Sequence, residues 1–441
     1  MSFLDRRFAL AVNGTTVRTE VLAGLTTFLT MAYIIFVQPA VLSAAGMDFG
    51  AVLTATCLAT AFATTLMALL ANYPIAVAPA MGHNFFFTYS VVLGMKVGWR
   101  VALGGVAVAG LAFILTAGVG LRERLITAIP QSIKHAIAAG IGLLIAMIGL
   151  QWAGMVVAAP GTLVTLGNLH SPPVLLATAA LTLTASLMAR RVPGALLWGI
   201  LATTAIGLPL GIVRYQGFVS VPPSLAPTLM QLDIAGAFAP GMVTVVFVFF
   251  FLALFDSVGT LVGVGEQAGL MRDGTLPRAR QALLADAIGT VAGAVLGTST
   301  VTAYIESGAG VAAGGRTGLA SLVTAALFML ALFFYPLIRM VGGGYVVGGA
   351  TLYPVIAPPL ILVGTMMLGG LRHIAWEDPT EAIPAFLTIV MMPLSVSITE
   401  GVAFGLMAFT VLKAVTGRWR EVHPLIVVFA LLFLARYVFL R

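Results

Sequence analysis

Residues 241–263 read GMVTVVFVFFFLALFDSVGTLVG, an apolar run of membrane-spanning length with a single acid, Asp256, inside it. At about 1.5 Å per residue in a helix, Asp256 lies roughly 15–22 Å along the segment, within the ~30 Å hydrocarbon core of a bilayer. An ionised carboxylate at that depth costs about 2.5–3.5 kcal/mol on the insertion scale. The acid therefore predicts a substrate or ion site, and a structural acid that caps a neighbouring half-helix is the alternative.

The composition is that of a polytopic membrane protein. Of the 441 residues, 60% are hydrophobic and 8% are charged, whereas a soluble domain carries about 25% charged residues. The many long apolar stretches favour helices over a barrel, with the lipid bilayer as the surrounding partner. Lys and Arg retained in cytoplasmic loops explain the net charge of +7, so no nucleic-acid partner is predicted. Cys57 is the only cysteine, which excludes an intrachain disulfide and a cysteine metal cluster.

Hydropathy divides the chain into about fourteen apolar elements and one further C-terminal segment. Their ranges are 21–45, 51–73, 84–95, 100–120, 133–157, 172–189, 193–212, 241–265, 280–297, 306–314, 317–340, 351–370, 381–396, 398–416 and 424–440. Segments 84–95 and 306–314 are too short to cross alone, and each follows a Pro-containing or β-branched stretch that predicts extended chain leading into a half-helix.

Each short segment is the third of a set of about seven, and an odd number of spans inverts the second set. The pattern predicts an all-α membrane protein of about 14 transmembrane segments in a 7+7 inverted repeat. Paired short segments of this kind mark the binding site of a transporter. Whether 424–440 spans the membrane or lies on its surface is left open.

The Lys and Arg distribution predicts a cytoplasmic N-terminus. With that orientation only Lys96, Arg100, Arg214 and Arg339 fall outside, and the loop 213–240 is external. The basic residues on the cytoplasmic side are then Arg122, Arg124, Lys134, Arg190, Arg191, Arg272, Arg278, Arg280, Arg316, Arg372, Lys413, Arg418 and Arg420.

Polar side chains within the membrane fall into three clusters, at 81–87, 255–260 and 304–308. Asp256 and Thr260 are four residues apart and share a helix face. With Glu306 and Asn84 they offer two carboxylates, an amide and a hydroxyl among aromatic rings, which suits a flat, neutral, polar heterocycle. One of the two acids could exchange the coupling proton, because burial or a nearby acid moves a carboxyl pKa towards neutral.

Simpler interpretations exist for these residues. Glu306 is also suited to interact with the positive end of a half-helix, and Asn84 is an ordinary N-cap type. We expect His83 to pack or to make a lateral hydrogen bond rather than relay protons. Glu266 and Asp286 are predicted to make hydrogen bonds between helices.

Seven stretches resemble the AzgA-like adenine/guanine/hypoxanthine permeases of the nucleobase–cation symporter family, which also contains the uracil and xanthine permeases. The resemblance covers residues 20 to 416 and is specific to that branch. The matching stretches are 20–37, 70–75, 255–262 (FDSVGTLV), 283–289, 297–307 (GTSTVTAYIES), 312–318 and 380–388.

The resemblance implies proton-coupled purine uptake across the plasma membrane, an elevator-like movement of a core domain against a gate domain, and a homodimer formed through the gate. It implies no cofactor besides the proton and no metal. The implied division is a cytoplasmic N-terminus at 1–20, a core domain at 21–130 and 241–345, a gate domain at 131–212 and 346–416, an external loop at 213–240 and a C-terminal segment at 417–441. The predicted substrate-binding residues are Asn84, Phe85, Phe255, Asp256, Thr260, Ile305, Glu306 and Ser307, with Asp256 and Glu306 also proposed for proton coupling.

Three other functions are weighed against this one. The same fold could carry xanthine or uracil, or it could carry an anion, which two acids at the site argue against. An intramembrane protease is the enzyme alternative, because Gly263-Val-Gly265-Glu266 nearly matches a Gly-x-Gly-Asp signature. Glu replaces the required Asp, so we do not expect an enzyme.

Overall fold

A computed structural model describes residues 3–119, 130–239, 241–271, 276–347 and 349–439. Arg122, Arg124 and Arg272, which count towards the predicted orientation, lie outside the described residues. The helices are α1 Phe3–Phe8, α2 Val17–Met31, α3 Ile34–Ala44, α4 Phe49–Leu66, α5 Met81–Phe85, α6 Trp99–Val119, α7 Gln131–Trp152, α8 Pro172–Ala189, α9 Ala195–Gly207, α10 Met242–Gln267, α11 Ala279–Leu296, α12 Ser307–Ala312, α13 Gly318–Ala331, α14 Tyr335–Gly342, α15 Ala357–Met367, α16 Pro379–Ser395, α17 Ile398–Val415 and α18 Pro424–Phe439. The strands are β1 Val77–Pro79, β2 Val156–Ala159, β3 Leu163–Leu166, β4 Val301–Ala303, β5 Tyr345–Val347 and β6 Ala350–Leu352.

The helical membrane architecture is confirmed. Within the described ranges, nine helices are long and apolar enough to cross a membrane, and three more apolar helices are shorter, among them α9 and α16. The two predicted half-helices, 84–95 and 306–314, start at slightly different positions in the structure. The first, α5, begins earlier, at Met81, and continues as a π-helix over Phe86–Gly94. The second, α12, begins at Ser307. The first span also starts earlier, at Val17.

The two halves repeat one local arrangement ahead of their half-helices. Extended chain precedes each half-helix, as the Pro and β-branched residues predicted, and β1 pairs antiparallel with β4 with Ala78 opposite Thr302. In the first half, Thr64 Oγ1 of α4 donates to the Val77 carbonyl (3.0 Å) and accepts from the Val77 amide (2.9 Å). In the second, Thr290 of α11 makes the same two contacts with Val301, at 2.8 and 3.3 Å. A threonine on the second span thus satisfies the backbone of the first strand residue in each repeat.

The spans pack in two groups. In the first, α13 packs against α2 and α4, and α11 packs against α4 and α6. In the second, α7 packs against α15 and α16, and α16 packs against α17. Gly142 of α7 faces Gly364 of α15, where a Cβ on Gly142 would lie 2.6 Å from the Gly364 carbonyl oxygen. Small residues therefore let these two backbones approach closely, as is common between membrane helices.

Residues 313–318 form the turn between α12 and α13, and a buried acid stabilises it. The Glu20 carboxylate of α2 accepts hydrogen bonds from the amides of Arg316 (2.8 Å), Thr317 (3.3 Å) and Ala320 (3.2 Å). These amides belong to the start of α13, where the first N–H groups of a helix have no partner within it. Residues 313–318 thus form a turn that leads into α13, and Glu20 of the first span stabilises it.

The C-terminal helix α18 lies antiparallel along the whole of α17. At one end, Lys413 Nζ lies 2.7 Å from Glu421, just before α18 begins. At the other, Arg436 Nη1 lies 3.0 Å from Glu400 Oε1, and the Tyr437 hydroxyl also donates to Glu400. Because contacts join both ends, α18 runs beside the predicted fourteenth span over its full length.

Candidate functional site

The candidate site lies where α10 passes the crossing of β1 and β4. Asp256 Oδ2 of α10 accepts a hydrogen bond from Thr302 Oγ1 of β4 at 2.9 Å. Within the described residues, Asp256 Oδ1 receives no hydrogen bond. A hydrogen bond to a charged group contributes about 1.5–3 kcal/mol, so Thr302 orients the carboxylate and leaves one oxygen available.

One face of α10 beside this carboxylate is open. Asp256, Gly259 and Gly263 are exposed, and a Cβ built at either glycine would meet no atom within 4 Å. The open face leads to the exposed Glu266 at the end of the helix, which is predicted to be cytoplasmic. Thr260 lies one turn beyond Asp256 and is only 6% exposed, so its side chain turns towards the protein interior rather than the open face.

Glu306 is held by the first span. Its Oε1 accepts from the Tyr33 hydroxyl at 2.7 Å, and Thr30 Oγ1 donates to its carbonyl oxygen at 3.3 Å. Ile305 beside it is 61% exposed. Ser307 is buried, and its hydroxyl accepts from the Ala76 amide at 3.0 Å. This bond connects the residue before β1 to the first residue of α12.

Asn84 belongs to a buried polar chain that joins the two halves. Its Nδ2 donates to Gln38 Oε1, and Gln38 Nε2 contacts Thr298 Oγ1 at 3.0 Å and Ser299 Oγ at 2.9 Å. Asn84 Oδ1 has no hydrogen-bond partner among the described residues. The amide therefore makes a structural bond through its nitrogen and keeps its oxygen as a free acceptor.

Three aromatic rings follow one another at the start of the first half-helix, and the first of them packs on different neighbours from the other two. Phe85 stacks on Tyr89 with centroids 5.9 Å apart and lies 6.4 Å from Trp152 of α7. Phe86 packs against Phe249 of α10 at 4.9 Å. Phe85, a predicted substrate-binding residue, thus faces α7, whereas Phe86 fills the contact between the half-helix and α10.

The remaining residues that the sequence singled out are placed as follows. Phe255 packs on Phe251 of its own helix, with centroids 4.5 Å apart. His83 is 3% exposed, and its Nε2 has no hydrogen-bond partner among the described residues. Asp286 of α11 accepts from the Ala303 amide of β4 at 3.3 Å.

Several residues at the site were not predicted to act there. Thr302 and Tyr33 hold the two carboxylates, Gln38 connects Asn84 to the second repeat, and Tyr304 donates to the Pro79 carbonyl at 2.5 Å. Gln38 carried the clearest signal, because an uncharged amide within the apolar segment 21–45 needs a partner inside the membrane. For Thr302 and Tyr33 the sequence contains no comparable signal, since both side chains are common in membrane helices and strands.

Comparisons with known proteins agree with this architecture. A sequence profile of the xanthine/uracil permeases, described as a permease family, matches residues 18–404. The chain is 47% identical to the adenine permease AdeP of Escherichia coli over 99% of this chain and 96% of that protein. It is 46% identical to the guanine/hypoxanthine permease PbuO of Bacillus subtilis over 97% of this chain and 98% of that protein.

A solved structure supports the fold. The transmembrane domain of the cyanobacterial bicarbonate transporter BicA superposes with a TM-score of 0.63 at 17% identity, covering 90% of this chain and 98% of that one. The family excludes the protease alternative, because its members are transporters rather than enzymes. This chain is a multi-pass membrane protein that belongs to the xanthine/uracil permease family and, within it, matches the adenine and guanine/hypoxanthine permeases.

Proposed function

We propose that the chain imports purine nucleobases across the plasma membrane, with protons as the coupling ion. The observation that carries the proposal is a pair of carboxylates, Asp256 and Glu306, each oriented by a hydroxyl from another element. Ring N–H groups and exocyclic amines of a nucleobase are donors that such carboxylates accept. Relatives named for adenine and for guanine or hypoxanthine support the purine class, at 47% and 46% identity.

Proton coupling is proposed for the same two acids. Asp256 faces open space beside Gly259 and Gly263, so a proton can reach it without passing through packed protein. A protonated carboxyl group donates through its O–H and still accepts through its other oxygen, whereas a carboxylate only accepts, so the two forms bind a nucleobase edge differently. Substrate binding and proton binding at one carboxyl group therefore depend on each other, and this dependence is a route to coupling.

The movement and assembly are also proposed. The two packing groups support a core domain that carries β1, β4 and both half-helices, and a gate domain built on α7, α15, α16 and α17. Elevator-like displacement of the first against the second would carry the site across the membrane. We further propose a cytoplasmic N-terminus and a homodimer through the gate helices. Cross-linking of cysteines introduced on the exposed faces of α16 and α17 would test the homodimer.

Competition uptake tests the function. Radiolabelled hypoxanthine uptake is measured in cells that lack their own purine permeases, with adenine, guanine, xanthine, uracil and cytosine as competitors. We expect purines to compete and a proton uncoupler to stop accumulation. Accumulation unaffected by the uncoupler contradicts proton coupling, and uptake of bicarbonate or sulfate without any purine uptake contradicts the substrate class.

A further inference from the structure

One face of α7 lies along the candidate site. A Cβ on Gly82, at the start of the first half-helix, would lie 2.8 Å from Ile141 Cγ2. Further along α7, Trp152 lies 6.4 Å from Phe85. At the other end, Lys134 Nζ lies 5.4 Å from the centroid of the Phe255 ring. The spacings of seven and eleven residues place Lys134, Ile141 and Trp152 on a single helix face.

Lys134 is the only Lys, Arg, Asp or Glu in Gln131–Trp152. Its side chain is half-buried and rests on the ring of Phe255, the residue directly before Asp256. No carboxylate of the described residues lies within 4.0 Å of its ammonium group. A contact with one ring leaves the three N–H donors of the ammonium group without an acceptor among the described residues.

The site therefore combines two kinds of wall. The α10 and α12 side presents carboxylates, which accept hydrogen bonds, and the α7 side presents an ammonium group, which only donates. A ligand that fits both walls carries N–H donors along one edge and acceptors along another. Guanine and hypoxanthine have this arrangement, because their O6 and N7 atoms form an acceptor edge that Lys recognises in other settings. Adenine places an amino group, a donor, where O6 would be.

We propose that Lys134 determines specificity by donating to the O6/N7 edge of a 6-oxopurine, and so favours hypoxanthine and guanine over adenine. This inference rests on the proposed purine transport. The ring of Phe255 holds the ammonium group beside the site without neutralising its charge.

The test uses cells that lack their own purine permeases and express either the wild-type protein or one of the variants Lys134→Met, Lys134→Arg and Lys96→Met. Inhibition constants for hypoxanthine and adenine are compared between them. Methionine preserves the length of the side chain and removes its charge and donors. Lys96→Met is the matched control, because Lys96 is exposed beyond the far end of the half-helix. We expect Lys134→Met to reduce the preference for hypoxanthine about tenfold, while Lys134→Arg and Lys96→Met retain it.

If the ratio of the adenine to the hypoxanthine inhibition constant is unchanged in a Lys134→Met protein that still transports purines, the proposed role of Lys134 is refuted. The proposed purine transport is then unaffected. Uptake of none of these bases by the wild type overturns both this inference and the proposed function.

Ligand analogues provide a test that needs no variant. Binding to the purified wild-type protein is measured for hypoxanthine, for unsubstituted purine, which lacks O6, and for 7-deazahypoxanthine, which lacks N7. We expect both analogues to bind about tenfold more weakly than hypoxanthine. Equal binding of all three contradicts recognition of this edge.

Discussion

The substitution Asp256→Asn separates the charge of this side chain from its shape. The amide oxygen of the introduced asparagine can still accept from Thr302, whose hydroxyl lies 2.9 Å from the carboxylate, so we expect the fold to be retained. A substrate N–H bonded to a carboxylate contributes about 1.5–3 kcal/mol, and the same bond to a neutral amide contributes about 0.5–1.5 kcal/mol. The midpoints of these ranges differ by about 1.25 kcal/mol, which predicts purine binding that is roughly eightfold weaker.

Transport should suffer more than binding. An amide does not release and take up a proton in the physiological range, so Asp256→Asn should bind purine weakly and accumulate none. The assays are radiolabelled hypoxanthine uptake, quantified against the amount of protein in the membrane, and calorimetric binding to purified protein. Glu266→Gln is the matched control, because Glu266 is an exposed acid on the same helix. Wild-type accumulation by Asp256→Asn, sensitive to an uncoupler, would refute the reasoning.

Three further outcomes are expected. Tyr33→Phe removes the 2.7 Å hydrogen bond to the Glu306 carboxylate and should weaken hypoxanthine binding roughly tenfold. Unchanged inhibition constants would exclude a role for the Tyr33 hydroxyl in orienting Glu306. Glu20→Gln removes charge-assisted bonds to the start of α13 and should lower the free energy of unfolding by about 1–3 kcal/mol, seen as a lower melting temperature of the detergent-solubilised protein. A hydrogen bond from Arg418 lowers the pKa of Glu421 from 4.5 to about 2, so its stabilising contribution is fully present above pH 4.5 and is lost as the pH falls through 2. Protection of the 416–423 amides from hydrogen exchange, corrected for the intrinsic exchange rate at each pH, should fall across that window in the wild type and less in Arg418→Ala.

The membrane class, the number of elements and the inverted order of the two halves could be predicted from the sequence. These features depend on local composition, because a bilayer requires runs of apolar residues of a fixed length. Asp256 and Glu306 could be singled out for the same reason, since a carboxylate in hydrocarbon is costly wherever its partners lie. The extended chain before each half-helix followed from Pro and β-branched residues.

Tertiary structure alone decided which side chains complete the site. Thr302 is 46 residues from Asp256, and Tyr33 is 273 residues from Glu306. No local pattern encodes pairings at such separations, because they arise only when β4 crosses β1 and the first span packs against the second half-helix. For the same reason the sequence did not determine that Phe85 faces α7, that Phe86 packs on α10 or that Lys134 lies over Phe255. These contacts depend on how the helices are arranged in space, which hydropathy does not determine.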